Sequence, residues 1–400
     1  AVVFGTTILG SNPSAPASKM LNKIKKIITK TDRFLFKKFG SEKSIKILEN
    51  IKEAKIIFSY LNEIEKESKV RFVGGCVRKS LCGESIDDID LATSLEPDEV
   101  KKRLTKGDIK VIDTGISHGT VTVILNQKKF EITTLRKDVS TDGRHAKVQF
   151  TSNWELDASR RDFTINAIAE NTATGERLDP YGGISDISQK IIRAVGDPKE
   201  RYREDPLRIL RGVRFVSQLG FSIDPATQSG MRNTIAFLGT LSQERITAEL
   251  ERLLVGDFPE KALNLLFQID ALPIVLPELS DMSGCDQNRF HKFDVWGHTI
   301  ATVEAIDCQE NRRLRRWVAL MHDLGKPSVR HMKKNGEWGF YRHEIVGAEL
   351  VEKFALRLQL SKRDASNISL LVRRHMDRPT LNDDRLIRRF MNRLGGHWKD

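Results

Sequence analysis

The chain has 400 residues, 39% hydrophobic and 30% charged, with a formal net charge of +12. That length exceeds one ordinary core and predicts two or three domains with the composition of a folded soluble protein, and no apolar run approaches the roughly 18 residues of a membrane-spanning helix. The basic balance favours an anionic partner without identifying one, and Cys76, Cys82, Cys285 and Cys308 lack metal-ligand or disulfide-framework spacing, which fits a reducing interior.

In chain order, AVVFGTTILGSNPSAPAS reads as a leader, with Ser, Pro and Gly crowded ahead of Met20. The stretch from Lys19 to Gly40 carries seven lysines and Arg33 against one acid, Asp32. A mitochondrial targeting helix, an arm facing a polyanion and a basic solvated helix all have this composition. Residues 46–68 space apolar side chains by three and four, which predicts a helix. VRFVGG is a strand running into a Gly-Gly turn, CVRKSLCG the first turns of a helix, and IDDIDLAT a second strand. EPDEVKKRL is a helix opened by Pro97 and acids. KVIDTG, GTVTVILN and KKFEITTLR read as three strands rich in Val, Ile and Thr. To about residue 175 the pattern is α/β with a mixed sheet.

From Asp197 the pattern turns helical. DPLRILRGVRFVSQLG puts Leu207, Leu210, Val213, Phe215 and Leu219 on one side, and Ser242 suits the cap of SQERITAELERLLV. The end, GGHWKD, shows no obvious terminal element, so the domain is expected to continue. The expected division is 1–45 leader or basic segment, 46–196 head, 197–256 helical neck and 257–400 helical body. Residues 1–200 hold 24 Lys and 10 Arg, whereas 201–400 hold 8 Lys and 24 Arg. This marks a change of domain or of parentage and by itself gives no function.

Alternation along a strand puts Asp88 and Asp90 on one face. On an apolar sheet that is costly unless a cation sits between them. Mg²⁺, one ion or a pair, suits hard oxygen ligands shared with substrate phosphates. Glu131, on a later strand, is the candidate third acid. The Gly74-Gly75 turn lets backbone amides approach a phosphate at a helix start, with Arg78 in reach. Asp205 and Arg208, three apart on one helix face, either read a base edge without a template or form a routine surface ion pair.

The ordered series FVGGCVR, DIDLAT, HGTVTV, FEITTLR, RRDFTINAIA, DPYGGISDI, EDPLRILRGVRF and LSQERITAELERLL, over roughly residues 70–255, resembles the class II tRNA nucleotidyltransferase and bacterial poly(A) polymerase family. The resemblance implies an α/β nucleotidyltransferase head (mixed sheet with flanking helices) followed by all-helical neck and body domains. It implies template-independent addition of CCA to tRNA from CTP and ATP, with pyrophosphate released. By the same resemblance Asp88 and Asp90 hold Mg²⁺, two ions in the head, and Glu131 is the additional acid. Gly74, Gly75 and Arg78 contact the triphosphate. Arg161 and Asp162 form a nucleotide-pocket pair, with Asn166 one helical turn on. Asp205 and Arg208 pair with the base edge, and Arg211 lies near the phosphates. One departure is Lys79, where the family carries Asp.

The tRNA acceptor arm is the expected partner, gripped through phosphates and shape. Monomer and homodimer are both compatible, and the expected compartment is the cytoplasm or, if the basic segment targets, the mitochondrial matrix. The alternatives are a poly(A) polymerase, a CC- or A-adding specialist, and a non-catalytic RNA-binding protein. RKDVSTDGRHAKVQFTSNWELDASRRD resembles the flexible loop with which full CCA-adding members switch from C to A. Its Gly143 and Arg144 also suit a plain surface loop. In the back half, His298, His322 with Asp323, His343 and His375 resemble the HD superfamily of metal-dependent phosphohydrolases. Imidazoles and a carboxylate from separate helices can converge on a divalent metal, or the fold can persist as an RNA-binding body. His291, His331 and His397 read as ordinary surface residues.

Overall fold

A computed structural model describes residues 48, 51–62, 69–86, 88–115, 119–141, 146–171, 175–288, 292–377 and 391–394. The leader, the basic stretch, His118, Gly143, Arg144, His291, His397 and the GGHWKD end lie outside the described residues.

The head is built on β1 (Val70–Val73), β2 (Ile89–Thr93), β3 (Lys110–Gly115), β4 (Thr120–Leu125), β5 (Lys128–Thr134), β6 (Arg136–Thr141), β7 (Ala146–Phe150), β8 (Ala169–Glu170) and β9 (Arg177–Leu178). Seven of these form one sheet in the order β3-β4-β5-β2-β1-β8-β9. The β2–β5 pair is parallel and its neighbours are antiparallel, so the sheet is mixed as expected. Period-two alternation decides which face each residue takes. In β5, Phe130 and Ile132 are buried, which turns Lys129 and Glu131 to the opposite face. In β2, Ile89 and Leu91 go inward and Asp90 goes with Glu131. Phe72, Leu91, Phe130 and Ile132 are at most 1% exposed, each worth about 1.5–3 kcal/mol in burial. The helix Lys52–Asn62 adds Ala54, Ile57, Phe58 and Leu61 to this core.

A second core holds the neck and body together. It runs from Phe163, Ile165, Ile192 and Ala194 through Leu210, Val213 and Leu250 to Trp317, Phe354 and Val372. The RRDFTINAIA segment therefore straddles the two cores: Phe163 and Ile165 face the helices, and Ile168 faces the sheet. In the neck, Leu207–Leu219 packs against Gln243–Leu254 and Pro259–Gln268. Buried Arg316 donates to the Leu254 and Ile306 carbonyls, tying body to neck.

Three expectations need correction. Neck and body are predominantly helical but not wholly so. Ser222–Ile223 pairs in parallel with Ile191–Ile192, and His331–Met332 pairs with Trp338–Gly339. These strands are two residues long, too short to show a periodicity. The segment after Leu135, expected as a loop, contains the antiparallel β6–β7 pair. Finally, Ser242 occupies the cap of Gln243–Leu254, but its side chain makes no capping hydrogen bond.

Candidate active site and metal centre

Parallel pairing sets Asp90 directly beside Glu131. Asp88 precedes β2, is exposed, and lies close enough to act on Asp90. Burial, then Glu131 and Asp88, push the Asp90 carboxyl above its ordinary value, against the pull of Arg161. Lys129, two residues before Glu131 on the same face, donates to Glu131 Oε1 at 2.6 Å. That lysine was not singled out in the sequence; its i,i+2 spacing from Glu131 was the available signal.

The Gly74 turn closes over these acids. Gly74 has φ 71°, and a Cβ there would lie 3.2 Å from Arg161 Nη1 and 3.9 Å from Asp90 Oδ2. Glycine is demanded twice at this position, by backbone conformation and by crowding. At Gly75 a Cβ would meet nothing within 4 Å, so packing alone does not require that glycine.

Beside the turn runs a buried chain of polar contacts. Arg78 donates to Asn166 Oδ1, Asn166 Nδ2 donates to Asp162 Oδ1 at 2.9 Å, and Arg211 Nε donates to Asp162 Oδ2 at 2.8 Å. Burial alone would raise the Asp162 carboxyl, but Arg211 and Asn166 hold it down to about 2. Arg78 is 7% exposed and its guanidinium sits 4.8 Å from the Phe215 ring centre. It is thus an internal strut, rather than the open phosphate contact expected. Asn166 does not continue a helix from Arg161. It ends the short 3-10 turn Thr164–Asn166, after Phe163 bridges to Ala194. Arg161 is positioned by Asp157, 2.9 Å from its Nη2. Asp157, four residues earlier, was also missed, although i,i+4 on a helix was its signal.

Asp205 and Arg208 do not share a helix face. Asp205 is extended (φ −145°) beyond the helix Pro198–Glu204, because Pro206 follows it and starts the next helix. Its carboxylate pairs with Arg245 at 3.0 Å. Arg208 turns to Glu204 Oε2 at 2.9 Å and to the Arg160 carbonyl at 3.1 Å. The two therefore do not form the surface ion pair that was the alternative reading of their spacing. Lys79 lies, half-buried, in the last turn of Gly75–Cys82.

In the body, four histidines surround Asp323, whose side chain is 2% exposed. Its Oδ2 lies 3.0 Å from His322 Nε2 and 3.6 Å from His298 Nε2; its Oδ1 lies 3.4 Å from His343 Nε2 and 3.8 Å from His375 Nε2. The Nδ1 atoms of His322, His343 and His375 face the carbonyls of Ala319, Phe340 and Val372 at 2.8, 2.8 and 2.6 Å. A carbonyl only accepts, so each Nδ1 carries a proton and each Nε2 is turned toward the centre. His343 and His375 oppose their Nε2 atoms at 3.1 Å. Burial, with His322 and His343 nearby, pushes His375 down to about 4, leaving it neutral. Burial would raise Asp323, but His322 and Lys326, whose Nζ is 2.7 Å away, hold it well below the carboxylate range. Imidazole nitrogens and a buried carboxylate converging from separate helices are a donor set that suits a divalent cation. The cluster divides into two groups sharing Asp323: His298, His322 and Asp323, and Asp323, His343 and His375.

Three family patterns match in succession: the poly A polymerase head domain at residues 70–193, the probable RNA and SrmB-binding site of polymerase A at 220–282, and the HD domain at 291–393. A CCA-adding enzyme of Streptococcus sanguinis is 37% identical over 298 residues, covering 73% of this chain and 70% of that protein. The chain belongs to the CCA-adding enzyme family. A CCA-adding enzyme of Geobacillus sp. is 45% identical over 212 residues, 52% of this chain. The chain spans 51% of that relative's length and 62% of the length of a Bacillus subtilis relative. In three dimensions it resembles the Bacillus stearothermophilus CCA-adding enzyme in complex with CTP, with TM-score 0.57 and 30% identity over 85% of this chain and 81% of that one. The HD domain match and the buried His/Asp cluster point to a metal-binding site. Among the described residues, no helix is long and apolar enough to cross a membrane.

Proposed function

We propose that the chain adds C, C and A to the 3′ end of tRNA without a template, using CTP and ATP and releasing pyrophosphate. One observation carries this reading. Asp90 stands in register with Glu131, beneath the Gly74 turn and Arg161. Three like charges converge there, and one carboxyl is pushed above its normal range. Such an arrangement is unfavourable until a cation and a polyphosphate join it. Asp88 and Asp90 would hold Mg²⁺, with Glu131 alongside. When bound, Mg²⁺ lowers the pKa of the attacking 3′ hydroxyl and offsets charge on the α-phosphate.

The chain's own residues do the positioning. The turn at Gly74 and Gly75 leaves room for a triphosphate against the start of Gly75–Cys82. Arg78, Asn166, Asp162 and Arg211 form a fixed wall, so the pocket does not have to reorganise when the nucleotide arrives. Arg208 is held at its Nη1 and Nη2 by Glu204 and two carbonyls. From this rigid frame Arg208 and Asp205 would select the base edge. A relative of this fold solved in complex with CTP supports a nucleotide-binding reading. The test is extension of tRNA ending before C, of tRNA ending in CC, and of an unrelated RNA. Addition of three, one and no nucleotides is expected. Long adenylate tracts would favour polyadenylation, and no addition to any substrate would overturn the reading.

We further infer that the body binds two divalent cations sharing Asp323, as its two groups of donors suggest, and acts as a phosphohydrolase. Metal content near two per chain after dialysis is expected, falling when His343 and His375 are replaced. Content unaffected by those replacements would refute it.

A further inference from the structure

One element of the body is unused by either site. Residues 330–342, RHMKKNGEWGFYR, hold four Lys or Arg against one acid, Glu337, along with Trp338, Phe340 and Tyr341. The paired strands His331–Met332 and Trp338–Gly339 separate these side chains by face. On one face Arg330 covers the Trp338 ring at 3.8 Å, and Lys326 lies over Phe340 at 5.5 Å. This side is anchored to the body. On the other face His331 and Tyr341 stack, with centroids 5.2 Å apart and planes at 22°.

That stack is built rather than incidental. His331 Nδ1 faces the Val329 carbonyl at 3.0 Å. A Cβ at Gly339 would lie 2.6 Å from His331 Nε2 and 2.8 Å from Lys333 Cε, so both side chains lie across the space that this glycine leaves open. Tyr341 is nevertheless 69% exposed, and Lys333 Nζ stands 5.8 Å from its ring centre. Lys334 and Arg342 are exposed beside it. His331, expected as an ordinary surface residue, is therefore the floor under an open aromatic ring.

We propose that this hairpin is a stacking platform for unpaired bases of single-stranded RNA. A flat ring held open on a rigid support accepts a base face, and flanking cations take the adjoining phosphates. Duplex RNA does not offer base faces, and an acidic peptide has no use for the stacked rings. The location also matters. The Phe340 carbonyl receives the Nδ1 proton of His343, so the platform is two residues from a member of the Asp323 cluster. The proposal rests on the RNA-partner reading above, and the test separates the two.

The full chain is irradiated with a short single-stranded RNA containing 4-thiouridine, the attached peptides are mapped, and binding is measured by anisotropy. Attachment within residues 330–342 is expected. Tyr341→Ala should remove it and weaken binding about tenfold, Tyr341→Phe should retain both, and CTP addition at saturating tRNA should be unchanged in either variant. Attachment confined to head and neck peptides, or a Tyr341→Ala variant that keeps the attachment, overturns the platform alone. No attachment anywhere overturns the platform and the RNA reading together.

Discussion

The head and the body each centre a cluster on one aspartate, and the charge around the two is arranged differently. At Asp90 the neighbours are Glu131 and Asp88, and the carboxyl is pushed up. At Asp323 the neighbours are His322 and Lys326, and the carboxyl is held far down. In the head, Lys129 and Arg161 offset only part of that repulsion. The body sets an internal cation, Lys326, against its carboxylate and surrounds that pair with imidazoles. The two clusters thus differ in what they leave unbalanced.

The largest effect expected is in the head. Asp88→Ala combined with Asp90→Ala should lower CTP and ATP incorporation about a thousandfold or more, with the metal content of the body unaltered. Incorporation at the parent rate would erase the contrast. Next, Asp323→Ala leaves Lys326 buried without its carboxylate. We expect a loss of about 3–5 kcal/mol in urea unfolding, together with loss of bound metal. An unchanged midpoint would show that the body does not depend on its internal cation.

A smaller effect belongs to Asp162, which titrates near 2 in the folded chain against about 4 unfolded. Between those values the unfolded chain binds more protons, so stability rises with pH. About 2 kcal/mol should be present above pH about 4 and lost as pH falls towards 2. Asp162→Asn should flatten that part of the profile. Asp90 has the opposite sign: its raised carboxyl binds more protons folded than unfolded, so its ionisation costs stability as pH rises. Asp90→Asn should raise Tm slightly in EDTA at neutral pH and, with Mg²⁺ supplied, abolish incorporation. A lowered Tm would mean the head site is not electrostatically strained.

Much of the head was legible because strands write their faces at period two. Asp90, Glu131 and their buried partners Leu91 and Phe130 follow from alternation alone. The role of Arg78 was not legible, because nothing local announces that it meets Asn166, 88 residues away. Arg245 with Asp205, and Lys326 with Gln287 at 2.7 Å, are likewise joined only by packing. The Asp205–Arg208 spacing suggested a pair, and Pro206 broke the helix that would have made it. Asp157 and Lys129 were within reach of local rules and were passed over.

By itself the sequence determined the residue types, their alternation and the order of the motifs, since these depend on neighbours within a few positions. Which faces met was decided only by the tertiary structure. Parallel pairing of β2 with β5 set Asp90 against Glu131, and the seam between two cores turned RRDFTINAIA into a wall. Packing of four separate helices aimed the histidines at Asp323. Long-range contacts of this kind are bought by burial of apolar surface far from the charged groups they position, so no local pattern records them.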